Sequence, residues 1–146
     1  MSKPKSVTMT LPSSSEFVAV TRLTVSGIAA RMNFPIEMIE DLKVSLSEAC
    51  TNVVQHAYPS SETGEIFITF HMYPDKLEIF VEDHGKGFNP KEAAAPKDNS
   101  EHVESFGLGL GLTFIKSLMD EAEVTSIMGK GTIVRMVKHT PSTVIK

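Results

Sequence analysis

Glu48 and Asn52 stand four residues apart in a stretch, Ile36 to Ala57, whose apolar residues recur with helical spacing. On a helix they are surface neighbours. Turned at 100° per residue, Ile39, Leu42, Leu46, Ala49, Cys50, Val53 and Ala57 share one broad face, and Asp41, Ser45, Glu48, Asn52, Gln55 and His56 share the other. A solvated face is the simplest account of such a polar stripe. Two details argue against it. Apart from Lys43 the helix body carries no Lys or Arg, and Thr51-Asn52 gives up about a few tenths of a kcal/mol of helix propensity. A carboxylate beside a carboxamide offers oxygens to a hard cation such as Mg²⁺, which keeps water and phosphate oxygens in the rest of its shell. Equally, one can bind metal while the other accepts a proton. The stripe alone does not decide between these.

Two glycine clusters supply a second element. Val81-Glu82-Asp83-His84-Gly85-Lys86-Gly87-Phe88 closes a strand, and Asp83 there presents an acceptor suited to an exocyclic amino group such as that of adenine. Its glycines allow a ligand to approach the main chain, although an ordinary strand-to-loop turn has the same composition. Phe106-Gly107-Leu108-Gly109-Leu110-Gly111-Leu112-Thr113 opens a helix, where free amides and the helix dipole favour phosphate; tight packing of a helix start is the plainer account. The spacing is neither the dinucleotide G-x-G-x-x-G nor the P-loop pattern. Either cluster alone is weak. Their order is specific: a Glu/Asn helix stripe, a strand ending in Asp-x-Gly-x-Gly, a long polar loop, a glycine-rich helix start, then Gly-Lys-Gly-Thr at 129–132.

The elements that must position these residues follow from periodicity. Val7, Met9 and Leu11 alternate as a first strand stopped by Pro12. Serines 13 to 15 precede a helix bearing Phe17, Val20, Leu23, Ile28 and Met32, broken at Asn33 and Pro35. Strands are expected at 65–73 and 76–82, joined by Pro74-Asp75 as a hairpin. After a polar stretch without periodicity come a helix at about 110–119 and a second hairpin, 124–128 and 132–139. Early helices and late hairpins predict an α+β fold, a two-layer sandwich with a mixed, mostly antiparallel sheet and helices on one face.

Composition narrows the function. The chain has 146 residues, 41% of them hydrophobic, which fits one domain over 1–146. One cysteine, Cys50, excludes an internal disulfide framework and suits a reducing, cytoplasmic compartment. No apolar run approaches the roughly 20 residues of a membrane span, and residues 1–16 lack the apolar core of a secretory signal. A net charge of −4 without a Lys/Arg cluster argues against nucleic-acid binding. The scattered histidines argue against a histidine metal site.

The whole pattern resembles the GHKL (Bergerat-fold) ATP-binding proteins, and among them the bacterial anti-sigma-factor serine kinases of the general-stress and sporulation type. The likeness covers about Val7 to His139. Its strongest block, Glu40 to Tyr58, is similar to the N box of these kinases; Asp83-x-Gly85-x-Gly87, Gly109-Leu110-Gly111-Leu112 and Leu118-Met119-Asp120-Glu121 also match. The resemblance implies ATP and Mg²⁺ as cofactors. It implies Asn52 as the Mg²⁺ ligand and Glu48 as the base for a protein serine hydroxyl. It implies Asp83 on the adenine amino group with Thr132 beside it, Gly85 and Gly87 around the nucleotide, and Gly109 and Gly111 on the phosphates. About 88–106 would be a lid and about 140–146 a short flexible tail. Arg22 resembles a partner-contacting residue. The implied partners are a sigma factor and a STAS-type anti-anti-sigma protein, with a homodimer and neither nucleic acid nor membrane. Sporulation-type members carry an arginine at the end of the lid; Val103-Glu104-Ser105-Phe106 has none, leaving Lys86, Lys97 and Lys116 as cationic candidates. A different class is therefore also in play, an ATP-gated partner-binding module without kinase activity. A detached histidine-kinase catalytic domain is a third reading.

Overall fold

The computed structural model describes residues 3–59, 64–88 and 108–141. The lid expected at about 88–106 therefore lies, save for Phe88, outside the described residues, as does the tail beyond 141. Five strands form one sheet: β1 (Lys5–Pro12), β2 (Glu65–Met72), β3 (Lys76–Asp83), β4 (Glu121–Ile127) and β5 (Gly131–His139). Their order is β1-β2-β3-β5-β4, and every pairing is antiparallel. Helices α1 (Val18–Arg31), α2 (Ile36–Asn52) and α3 (Leu108–Leu118) pack with it. The fold is α+β, as expected.

Alternation fixes the buried face of the sheet. Ile66, Ile68 and Phe70 of β2, Leu77, Ile79 and Val81 of β3, and Val134 and Met136 of β5 are all buried. Against them lie Val25 and Ala29 of α1, Leu42, Leu46, Ala49 and Cys50 of α2, and Ile115 of α3. Cys50 is a core residue; burial pushes its thiol up to about 12, so it stays protonated and inert. The expected hairpin turns hold, and Asn33, at φ 65°, breaks the chain between α1 and α2. Beyond Asn52 the α2 helix does not stop but widens into a π-helical turn, Val53–Ala57. Thr140, where a flexible tail was expected to begin, donates both its amide and its hydroxyl to the Asp75 carbonyl.

On the other face, Arg135 of β5 reaches across two neighbouring strands. Its Nε lies 2.5 Å from Glu78 of β3, and its Nη1 lies 3.0 Å from Glu121 and 2.7 Å from Glu123 of β4. Three carboxylates converge on one guanidinium, whose proton is held more firmly than in a free arginine, chiefly by the Glu78 hydrogen bond. The Glu78 side chain is only 12% exposed, so removing its partner leaves a nearly buried charge. Arg135→Met is expected to cost about 3 kcal/mol in urea unfolding, whereas Glu123→Gln, at a side chain 63% exposed, should cost roughly 0–1 kcal/mol. Equal costs would mean that Glu78 does not need the guanidinium.

Candidate functional site

The site is built where the C-terminal half of α2 meets the first turns of α3. The polar stripe of α2 is not a solvated face: Ser45 is fully buried, Asn52 is 8% exposed, and α3 lies over them. At Gly111 the two helices are so close that a Cβ would stand 2.7 Å from Asn52 Nδ2 and 2.8 Å from Glu48 Oε2. Any side chain there would displace both polar groups. Glu48, Asn52 and Gly111 are thus brought together as the sequence led us to expect, with Gly109 one step nearer the start of α3.

Asn52 Nδ2 is buried and has no hydrogen-bond partner among the described residues. An orphaned buried amide costs about 1–3 kcal/mol, and packing alone gives no reason to keep an asparagine there. Which amide atom faces α3 is a matter of assignment, so the same position can present Oδ1 as a ligand oxygen. Ser45 Oγ, further back on the same face, also has no partner among the described residues.

The second half of the site is the end of β3. Asp83 is 5% exposed and its Oδ1 accepts the Gly85 amide at 2.9 Å. Burial raises its pKa above the ordinary carboxylate value, opposed by hydrogen bonds from the Gly85 and Thr132 amides. Thr132 sits directly opposite Asp83 in the β3–β5 register, and its hydroxyl lies 2.7 Å from Ser126 Oγ. Ser126 in turn accepts the Phe88 amide at 2.9 Å. The Asp83–Phe88 loop is seated on its neighbours: the Lys86 amide donates to the Ala57 carbonyl at 2.8 Å, joining the loop to the π turn after α2. At Gly85 a Cβ would fall 2.1 Å from that same carbonyl. Gly87, at φ 67°, lies as closely against the Ile127 carbonyl of β4. Burial, and then the Lys86 ammonium, lower the pKa of His56 in the π turn below that of a free imidazole.

Arg22 stands elsewhere, on α1, where its Nη1 donates to Ser47 Oγ of α2 at 2.9 Å. Of the three lysines considered as phosphate partners, Lys86 and Lys116 are exposed and Lys97 lies outside the described residues. Sequence reasoning missed Ser126, the link between Thr132 and the glycine loop. Its signal was available: it occupies the inward position after Ala122 and Val124, where β4 would otherwise carry an apolar residue.

The fold defines the class. Residues 11–138 match the family model described as a histidine kinase-like ATPase domain. Serine-protein kinase RsbW of Halalkalibacterium halodurans is 43% identical over 140 residues, 93% of this chain and 84% of that protein. RsbW of Bacillus cereus is 43% identical over 143 residues, 95% of this chain and 88% of that protein. This chain belongs to that family, in its RsbW serine-protein kinase group. Among solved structures, a Mycobacterium tuberculosis chain containing RsbU and RsbW domains superposes with a TM-score of 0.69 at 17% identity, over 94% of this chain and 33% of that one. The histidine kinase domain of an Erythrobacter litoralis blue-light activated histidine kinase gives 0.50 at 20% identity, over 85% and 59%. These two likenesses concern the fold. No described helix is long and apolar enough to cross a membrane.

Proposed function

We propose that this chain is an ATP-dependent protein serine kinase and anti-sigma factor, which holds an RNA-polymerase sigma factor and phosphorylates a STAS-type anti-anti-sigma protein on serine. The observation that carries this reading is the meeting of Glu48 and the unpaired Asn52 amide at Gly111. A base, a ligand oxygen and a helix N-terminus in one place are what phosphoryl transfer to a hydroxyl needs. The names of the relatives supply the acceptor class. The partners are cytoplasmic proteins, and the working unit is a homodimer.

In this reading Asp83 accepts the adenine amino group, with Thr132 and Ser126 closing that end. Gly85 and Gly87 keep the loop against the nucleotide, and the first-turn amides at Gly109 and Gly111 face the phosphates. Asn52, whose buried amide has no partner among the described residues, fits Mg²⁺ as a protein ligand, with water and phosphate oxygens to complete the shell. Bound there with ATP, Mg²⁺ would neutralise charge on the phosphate oxygens. Glu48 takes the proton from the acceptor serine as its oxygen bonds to the γ-phosphorus; the bond to the β–γ bridging oxygen breaks and ADP departs. Arg22 is the partner-facing cation, held between engagements by Ser47.

Asp83 carries a prediction with a definite sign. Its raised pKa means that ionisation is a net cost to the fold, present in full above the folded pKa and relieved as pH falls through it. Asp83→Asn is therefore expected to unfold at the same urea concentration as the parent or a higher one near pH 7. The same variant should bind ATP at least tenfold more weakly by calorimetry. In the parent, ATP affinity should begin to fall at a pH above the ordinary carboxylate range as Asp83 protonates. A variant that binds ATP normally removes Asp83 from the adenine site.

The reading as a whole is tested by incubating the chain with Mg²⁺ and labelled ATP, with and without a STAS partner. Label on a partner serine, stable to acid, is expected. ATP and partner binding without transfer would leave an ATP-gated binding module, and acid-labile label would indicate a histidine acceptor.

A further inference from the structure

Lys138 breaks the pattern of its strand. Val134, Met136 and Lys138 alternate on the inner face of β5, and Lys138 lies opposite the buried Leu77. It is only 9% exposed. An apolar side chain would fill this place at no electrostatic cost, whereas a buried ammonium is tolerated only when well paired. Its pairing joins three elements. Nζ donates to the Leu118 carbonyl, at the last residue of α3, at 2.5 Å, and lies 3.3 Å from Asp41 Oδ2 of α2. That carbonyl has no acceptor role left inside its own helix, and a cation at a helix C-terminus also complements the dipole.

The rest of this end of α3 is fixed as well. The Asp120 amide donates to the Val137 carbonyl at 2.9 Å, and Asp120 Oδ2 accepts the His139 amide at 2.7 Å. At the opposite end, α3 presses Gly111 onto Glu48 and Asn52. The helix thus runs antiparallel to α2, from Asn52 to Asp41. A rigid rod fixed at one end has its other end placed by that attachment.

We propose that Lys138 is a positioning residue for the nucleotide site: by tying the Leu118 carbonyl to Asp41, it sets how closely the opening turns of α3 approach Glu48 and Asn52. The activity part of this inference rests on the kinase reading; the geometric part does not. The test compares Lys138→Met, Lys138→Arg and Asp41→Asn in the full chain. It measures melting temperature, ATP affinity, kcat and KM for ATP in transfer to a STAS partner, and hydrogen exchange of the 111–118 amides. Lys138→Met is expected to lower kcat about tenfold, to raise KM for ATP severalfold, and to speed exchange along α3. Lys138→Arg should restore most of the loss, because a guanidinium can reach both oxygens. Asp41→Asn, which leaves the Leu118 bond in place, should fall between and serves if Lys138→Met does not fold. A folded variant with a lowered melting temperature but parental kcat, KM and ATP affinity overturns the proposal, as does unchanged α3 exchange. If the parent transfers no phosphate, the kinase reading fails, and ATP affinity with α3 exchange then decides the positioning role.

Discussion

Replacing Glu48 by Gln should lower phosphoryl transfer by about 10²–10⁴-fold, the range for loss of a positioned general base, while ATP binding stays within threefold of the parent. Gln keeps the shape that packs beside Gly111, where a Cβ would stand 2.8 Å from Oε2, but cannot take a proton at neutral pH. Asn52 should behave differently. Asn52→Ala is expected to weaken Mg²⁺-dependent ATP binding and to relieve, rather than add to, the unpaired-amide cost, since Nδ2 has no partner to lose among the described residues. Calorimetry with ATP, in Mg²⁺ and in EDTA, separates the two residues: Glu48→Gln should keep the difference between the two conditions and Asn52→Ala should lose most of it. Parental transfer rates from Glu48→Gln would remove Glu48 from the proton's path.

The fold's largest single-residue sensitivity should be at Gly131. Its φ of +123° is outside the range of side-chain-bearing residues, and a Cβ there would lie 2.1 Å from the Asp83 carbonyl oxygen and 2.9 Å from His84 Cα. Both obstacles are backbone, so neither can rotate away. Gly131→Ala is expected to cost about 3 kcal/mol or more in urea unfolding, combining strain with overpacking. Gly129 provides the internal control. Its φ is +82°, but nothing lies within 4 Å of its Cβ position, so Gly129→Ala should cost only about 1 kcal/mol. Similar costs at the two positions would show that the Asp83 backbone can yield, contrary to the crowding argument. Any Gly131→Ala protein that does fold should also bind ATP poorly, since the displaced backbone belongs to Asp83.

Local signals carried much of this molecule. Alternation in Val7-Met9-Leu11 and in Ile66-Ile68-Phe70 located strands because Met9, Leu11 and the three β2 residues face the core, although Val7 itself is exposed. The scarcity of lysine and arginine in the body of α2 argued against a solvated face without deciding the matter; Ser45 and Asn52 of the polar stripe are buried, and Gln55 is exposed. What covers that stripe was not legible, because α3 reaches it from more than fifty residues away in sequence. β4 was placed late, at Val124, since its first three residues include Glu121 and Glu123; their partner Arg135 is on another strand. The π turn after Asn52 gave no composition signal, and nothing local marks Lys138, whose partners Asp41 and Leu118 belong to other elements. The placement of β5 between β3 and β4 is a property of long-range pairing, which no window of sequence contains.

That strand order has a consequence for synthesis. β5 follows all the other strands in sequence, yet it sits inside the sheet and contributes the whole flank of β3 from Lys76 to Asp83. As the polypeptide leaves the ribosome, β1, β2 and β3 can assemble while the outer rim of β3 stays bare, an invitation to intermolecular strand pairing. A nonsense codon ahead of Gly131 would remove the seam between the two halves of the sheet, not a margin, and the truncated product should be aggregation-prone and short-lived in the cell.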